Sequence, residues 1–264
     1  EDVLPEPDAI MITGITPQQT LADGITEAEF VAYFQKEINQ PGTIFVGFNT
    51  VRFDDEFMRF LFYRNFTDPY EWQWKDGNSR WDMLDVVRMT RALRPEGINW
   101  PFASDGKPTN RLELLSELNK LDHANAHDAL SDVNATIAVA RMIRDKQPKL
   151  FDYLLSMRDK KQVAKLVQSK EPFVYTSGKY AAEFDKTTVA YFLGNRADNQ
   201  GDLVYDLRHD PTEFLALSPQ ELAERWRYTK EPDAKTRLPI KTIKHNRCPA
   251  VAPLGVLNDE NKQR

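Results

Sequence analysis

Residues 125–132 read NAHDALSD, and two of their side chains could carry out hydrolytic chemistry together, His127 and Asp132. A neutral imidazole takes a proton from water near neutral pH, and a carboxylate offers the hard oxygen ligand that Mg²⁺ or Mn²⁺ prefers. The spacing sets a condition on that pairing. Five positions on a continuous helix turn through about 500°, so the two side chains would diverge by about 140°. They converge only if His127 lies in a loop and Asp132 projects from the second turn of the helix that follows. Asp128 then reads as the polar helix start, an N-cap accepting backbone N–H bonds.

A second acidic pair stands in GFNTVRFDDE, residues 47–56. Asp54 and Asp55 fall where the chain leaves a short apolar run and enters a helical pattern, and open α/β sheets bind ligands at their strand ends. Two neighbouring aspartates need only one helix cap, which leaves one of them open to ligand chemistry.

Residues 70–81, YEWQWKDGNSRW, interleave Tyr70, Trp72, Trp74 and Trp81 with Lys75 and Arg80. Aromatic faces stack on any base while cations follow phosphates, a mixture suited to a sequence-tolerant groove for single-stranded nucleic acid. Tyr70 and Trp74 are assigned to that groove; Trp81, at the start of a helical pattern, reads as core. Arg59 lies about one turn after Asp55, and Arg88 lies on the helical pattern that begins at Trp81. Arg111 sits at a helix N-terminus, where backbone donors favour phosphate. In RDKKQVAKLVQSK, residues 158–170, five cations face one acid. A solvated helix face is the default for such a run, and Lys160 is the member assigned to a nucleic-acid strand.

These residues need elements to hold them. Phe30, Val31 and Phe34 give a helical period from Glu27 to Ile38, and TIFVGF, residues 43–48, reads as a strand buried on both faces. A helix starting near Asp54 repeats its apolar residues at Phe57, Phe60 and Leu61. Helices are expected at Trp81–Leu93 and Arg111–Leu121, and another carries the apolar face Ala129, Val133, Ile137, Ala140 and Ile143 before stopping short of Pro148. LFDYLLSMRDKKQVAKLVQ reads as a further amphipathic helix. Short β-like runs follow (PFVYTSG, TTVAYFLGN, DLVYDL, LPIKTIK), interrupted by one helix whose Ser218 and Glu221 have capping-box spacing. The pattern predicts an α/β domain over residues 1–147 and a mainly β domain over 148–264.

With 264 residues, 41% of them hydrophobic, the chain is long enough for cores of this kind. The single cysteine, Cys248, excludes an internal disulfide framework and any Cys-rich zinc site, so a reducing, cytoplasmic setting is expected. No apolar run approaches the roughly 20 residues of a membrane span. A net charge of −5 argues against indiscriminate polyanion binding yet permits a local basic groove. The chain begins at Glu1 in a Pro-rich stretch, and both ends are expected to be cut from a longer protein.

An FNxxxFD segment after a buried strand, followed by HDAxxD at a helix start, resembles the second and third motifs of the DEDD superfamily of 3′→5′ exonucleases with a histidine base. The likeness extends through ITGITP, the stretch from Asn49 to Arg88, ALRPEGINWP, RLELL and NAHDALSDVNATIAVAR. Within that superfamily the chain resembles the exodeoxyribonuclease I family of bacteria. The resemblance implies an RNase H-like exonuclease domain, truncated at its N-terminus, and then an SH3-like domain. It makes Asp54 and Asp132 metal-ligating carboxylates and His127 the general base. It also implies two-metal hydrolysis of single-stranded DNA to nucleoside 5′-monophosphates in DNA repair and recombination. The metal would be Mg²⁺, with Mn²⁺ as the alternative. A monomer is expected, with single-stranded DNA-binding protein as a partner through its acidic tail.

The superfamily's first motif, an Asp-x-Glu on a strand, belongs upstream of ITGITP, and a helical domain belongs beyond the SH3-like one. Neither lies in these 264 residues, so the chain alone is expected to be nearly inactive. Two other classes compete. An HD-type phosphohydrolase is suggested by His127 and Asp128 with His123, but that all-helical fold needs more histidines than the four present and no buried strand. A non-catalytic nucleic-acid-binding or docking module is the second.

Overall fold

The computed structural model describes residues 5–121, 129–227 and 236–259. By their contacts they form two compact units. One takes in the chain up to Leu84, then Glu96–Ala103 and Thr109–Pro148; the other holds Asp85–Pro95, Ser104–Pro108 and everything from Lys149 onward.

In the first unit, Pro7–Thr13 (α1) and Pro17–Asp23 (α2) precede Glu27–Tyr33 (α3), which starts in a capping box between Thr26 and Glu29 and runs on as a π turn over Phe34–Ile38. Ile44–Gly47 (β1) pairs in parallel with Ser79–Asp82 (β2), with Gly47 opposite Asp82. Between them runs Asp54–Arg64 (α4). The core of this unit is aromatic: Phe34, Phe62 and Trp72 are buried, and Phe45 stacks on Phe34 at 5.6 Å and meets Trp72 edge-on at 5.0 Å.

Four expectations from patterning are corrected here. β1 is covered on one face only: Phe45 points into the core, while Ile44 and Val46 are exposed. The buried side of α4 is Met58, Leu61 and Phe62, whereas Phe57 and Phe60 are 63% and 61% exposed. An apolar period shows that a face exists, but the long-range partners, here Phe34 and Trp72, choose which residues are covered. Ala129–Lys146 (α7) likewise buries Ala135, Thr136, Val139 and Ile143, leaving Val133 and Ile137 exposed. Trp81 lies on β2, as core, and the helix after it, Met83–Leu93 (α5), begins two residues later. Leu112–Leu118 (α6) stands where a helix was expected.

In the second unit the single amphipathic stretch is two helices, Pro148–Ser156 (α8) and Lys160–Val167 (α9). The break falls at Asp159, whose carboxylate caps α9 by accepting from the Lys161 N–H. Five antiparallel strands follow: Phe173–Thr176 (β3), Thr187–Asn195 (β4), Asp202–Asp206 (β5), Ile240–Ile243 (β6) and Ala250–Pro253 (β7). Their order in the sheet is β6-β5-β4-β3-β7. Four of the strands were legible as β runs; β7 was not. Thr212–Leu215 (α10) and Pro219–Trp226 (α11) lie between β5 and β6, and the expected Ser218–Glu221 capping box is present. The core gathers Val163 and Val167 of α9 with Phe173, Ala190, Val204, Ile243 and Val251. Among the described residues no helix is long and apolar enough to cross a membrane.

Candidate metal and nucleic-acid site

The approach to Asp54 is tightly determined. β1 ends at Gly47, where an added Cβ would stand 2.0 Å from Thr50 Cγ2. The chain then reverses through Asn49, which takes the left-handed conformation (φ 65°) that asparagine tolerates better than most residues. A 3₁₀ turn over Thr50–Arg52 leads to Phe53 and then to Asp54, the first residue of α4. Gly47→Ala is expected to cost about 1–3 kcal/mol through this overlap. A double variant with Thr50→Ala should regain part of that loss in urea unfolding; equal stability of Gly47→Ala and the parent would refute the contact.

The neighbouring aspartates separate by environment. Asp55 is buried and ion-paired with the guanidinium of Arg80, itself buried on β2. Asp54 is exposed at the helix N-terminus, where the dipole favours its negative charge. Asp132 is half-buried in the first described turn of α7. His127, with Asp128, lies outside the described residues. Among the described residues no three His, Cys, Asp or Glu side chains gather to hold a metal ion. The oxygen donors of Asp54 and Asp132 are of the hard type that suits a divalent cation held by one or two carboxylates together with waters and phosphates.

Of the aromatic stretch, Trp72 is buried and donates its Nε1–H to the Pro69 carbonyl (3.2 Å), while Tyr70 and Trp74 are 54% and 60% exposed. Arg59 lies 5.2 Å above the Tyr70 ring and pairs with Glu56, and its side chain is only 12% exposed. Those contacts immobilise both the ring and the cation, leaving the guanidinium little freedom to lose on meeting a ligand.

Arg88 belongs to the second unit, where it pairs with Asp85 at 2.6 Å and lies against Gly178. Lys186 is held below the usual lysine range, first by burial and then by the charge of Arg88. Arg111 is the residue preceding α6, exposed and paired with Glu113. Lys160 opens α9 and points to solvent with Lys161 and Lys165, opposite the buried Val163 and Val167. A cavity of about 570 Å³ in the second unit, lined by Leu93, Val174, Val189, Leu207 and Arg208 among others, includes none of these candidate residues.

Arg80, read from the sequence with Lys75 as a cation that follows phosphates, is instead buried on β2 and paired with Asp55, and patterning missed Asp82, two residues further on. Asp82 is buried too, and only its charge within an apolar context marks it in the sequence.

Residues 1–140 match the model of a family described as Exonuclease, and residues 158–264 match the Exonuclease I SH3-like domain. Exodeoxyribonuclease I of Haemophilus influenzae is 46% identical over 270 residues, covering all of this chain and 57% of that protein. The zinc-bound form of an E. coli ExoI–ssDNA complex superposes with a TM-score of 0.92 at 42% identity, covering all of this chain and 57% of the other. An ExoI/SSB-Ct complex superposes with a TM-score of 0.91 at 43% identity and the same coverage. The chain thus spans a little over half the length of the relatives it matches.

Proposed function

The chain belongs to the exonuclease family and carries an Exonuclease I SH3-like domain in its second half; from that premise we propose that it is the nuclease portion of a 3′→5′ exodeoxyribonuclease acting on single-stranded DNA. The observation that carries this reading is the exposed carboxylate of Asp54, delivered to a helix N-terminus by a sterically fixed loop, in the same unit as Asp132 and the exposed rings of Tyr70 and Trp74.

Asp54 and Asp132 would hold the divalent ions, Mg²⁺ before Mn²⁺ because both donors are hard oxygens. When bound, two such ions supply Lewis acidity that lowers the pKa of water and neutralises charge on the scissile phosphate. His127 takes the proton from the attacking water. In the first unit Tyr70 and Trp74 stack on bases and Arg59 and Arg111 meet phosphates, and in the second unit Arg88 and Lys160 meet phosphates, all without regard to sequence. The product is a nucleoside 5′-monophosphate released from the 3′ end. The E. coli ExoI–ssDNA complex supports single-stranded DNA as a partner, and the ExoI/SSB-Ct complex supports single-stranded DNA-binding protein, whose acidic tail we take as the docking segment. We place the activity in cytoplasmic DNA repair and recombination.

A second reading is a binding or docking module, favoured by the exposed rings of Tyr70 and Trp74, which can hold a strand without a metal. The test uses the complete gene product with a 5′-labelled oligonucleotide. A ladder shortening from the 3′ end, abolished by EDTA and absent on blunt duplex, is expected. Binding without any divalent-dependent shortening would establish the module instead.

A further inference from the structure

Both grips on the loop that delivers Asp54 come from one face of one strand. Asp82, 8% exposed at the end of β2, accepts three backbone N–H bonds: Oδ1 from Asn49 (2.8 Å) and Leu84 (3.0 Å), and Oδ2 from Val51 (3.2 Å). Arg80, two residues earlier and so on the same face of the strand, holds Asp55 in the buried ion pair. The chain is therefore clamped at positions 49 and 51 on one side of Asp54 and at position 55 on the other.

The β1–β2 pairing ends at Gly47, and a buried N–H beyond it must find an acceptor. A carboxylate answers two such groups at once and binds each more strongly than a neutral oxygen would. With three donors on its two oxygens, most of the acceptor capacity of Asp82 is spent on holding backbone.

We propose that Asp82, with Arg80, is a positioning residue for the metal-ligating carboxylate of Asp54, fixing the loop in its binding geometry before any ion arrives. This rests on the reading of Asp54 given above. Asp82→Asn keeps the shape but puts an NH₂ group or a single oxygen against N–H donors, so at least one of the three bonds is lost.

The test measures Mn²⁺ affinity of the complete gene product without turnover, from the EPR signal of free Mn²⁺. Partners that orient ligands contribute about 10- to 100-fold to metal affinity. Asp82→Asn should weaken Mn²⁺ binding by that factor, speed hydrogen exchange at the Asn49 and Val51 amides, and leave oligonucleotide affinity in EDTA within about twofold. A folded Asp82→Asn protein with parental Mn²⁺ affinity would overturn the proposal. Should Asp82→Asn not fold, Arg80→Lys, which keeps the charge but loses the planar fork, is judged by the same Mn²⁺ criterion. A parent protein that neither binds Mn²⁺ nor cleaves overturns the reading of Asp54 itself, a result distinct from an active parent with an indifferent Asp82→Asn.

Discussion

Alanine at Asp54 or at Asp132, introduced into the complete gene product, lowers mononucleotide release from single-stranded DNA by about 10³-fold or more while oligonucleotide binding in EDTA stays within a few-fold. A carboxylate that fixes the ions contributes mainly when charge develops on the phosphate, and about 4 kcal/mol of lost transition-state stabilisation corresponds to about three decades in rate. Asp54 is exposed, so its removal leaves packing untouched and lowers stability by no more than its helix-dipole contribution of about 0.3–1 kcal/mol. Asp55→Ala provides the contrast. It strands the buried Arg80 guanidinium, and breaking a buried ion pair from one side costs about 3 to 5 kcal/mol of stability. The adjacent positions should therefore fail in opposite ways, one in rate with a nearly unchanged melt, the other in the melt itself. Retention of more than about a tenth of the activity by Asp54→Ala would sink its assignment as a ligand.

The second large effect concerns the 264 residues alone. Supplied with Mg²⁺ and a single-stranded oligonucleotide, they should release mononucleotides at least about 10³-fold more slowly than the complete gene product. Asp54 and Asp132 are the two carboxylates proposed as ligands, and affinity for a hard cation follows ligand charge and number. Binding of the oligonucleotide should survive, since Tyr70, Trp74 and the cations need no metal. Fusing the N-terminal segment of a full-length relative should raise cleavage. Comparable turnover from the short chain would show that Asp54, Asp132 and His127 suffice without an Asp-x-Glu motif.

Asp54 and Asp132 were both legible as candidates, because an aspartate at a strand-to-helix junction and another near a helix start are local signals. Capping boxes are local too, and Ser218–Glu221 could be read from spacing alone. The faces of α4 and α7 were not legible. Phe57 and Phe60 obey a helical period as well as Met58 and Phe62 do, and only contact with Phe34 and Trp72 selects the second pair. The break between α8 and α9 was missed because apolar spacing continues across it, while the residue that caps the second helix is the single Asp159, three positions past the end of the first.

What the sequence determined by itself is the chemistry and order of the parts: acidic residues at helix starts, exposed-type aromatics among cations, and an α/β half before a β half. These follow from residue type and periodicity, which act over a few positions. Tertiary structure alone decided which of two identical neighbours is free. Asp54 and Asp55 have the same side chain and the same local pattern, yet Arg80, 25 positions on from Asp55, draws one into the interior and leaves the other in water. Asp82 likewise gains its place only because parallel pairing puts the end of β2 beside the end of β1. Burial and charge pairing are set by residues distant in the chain, and the desolvation they impose cannot be read until the chain has brought them together.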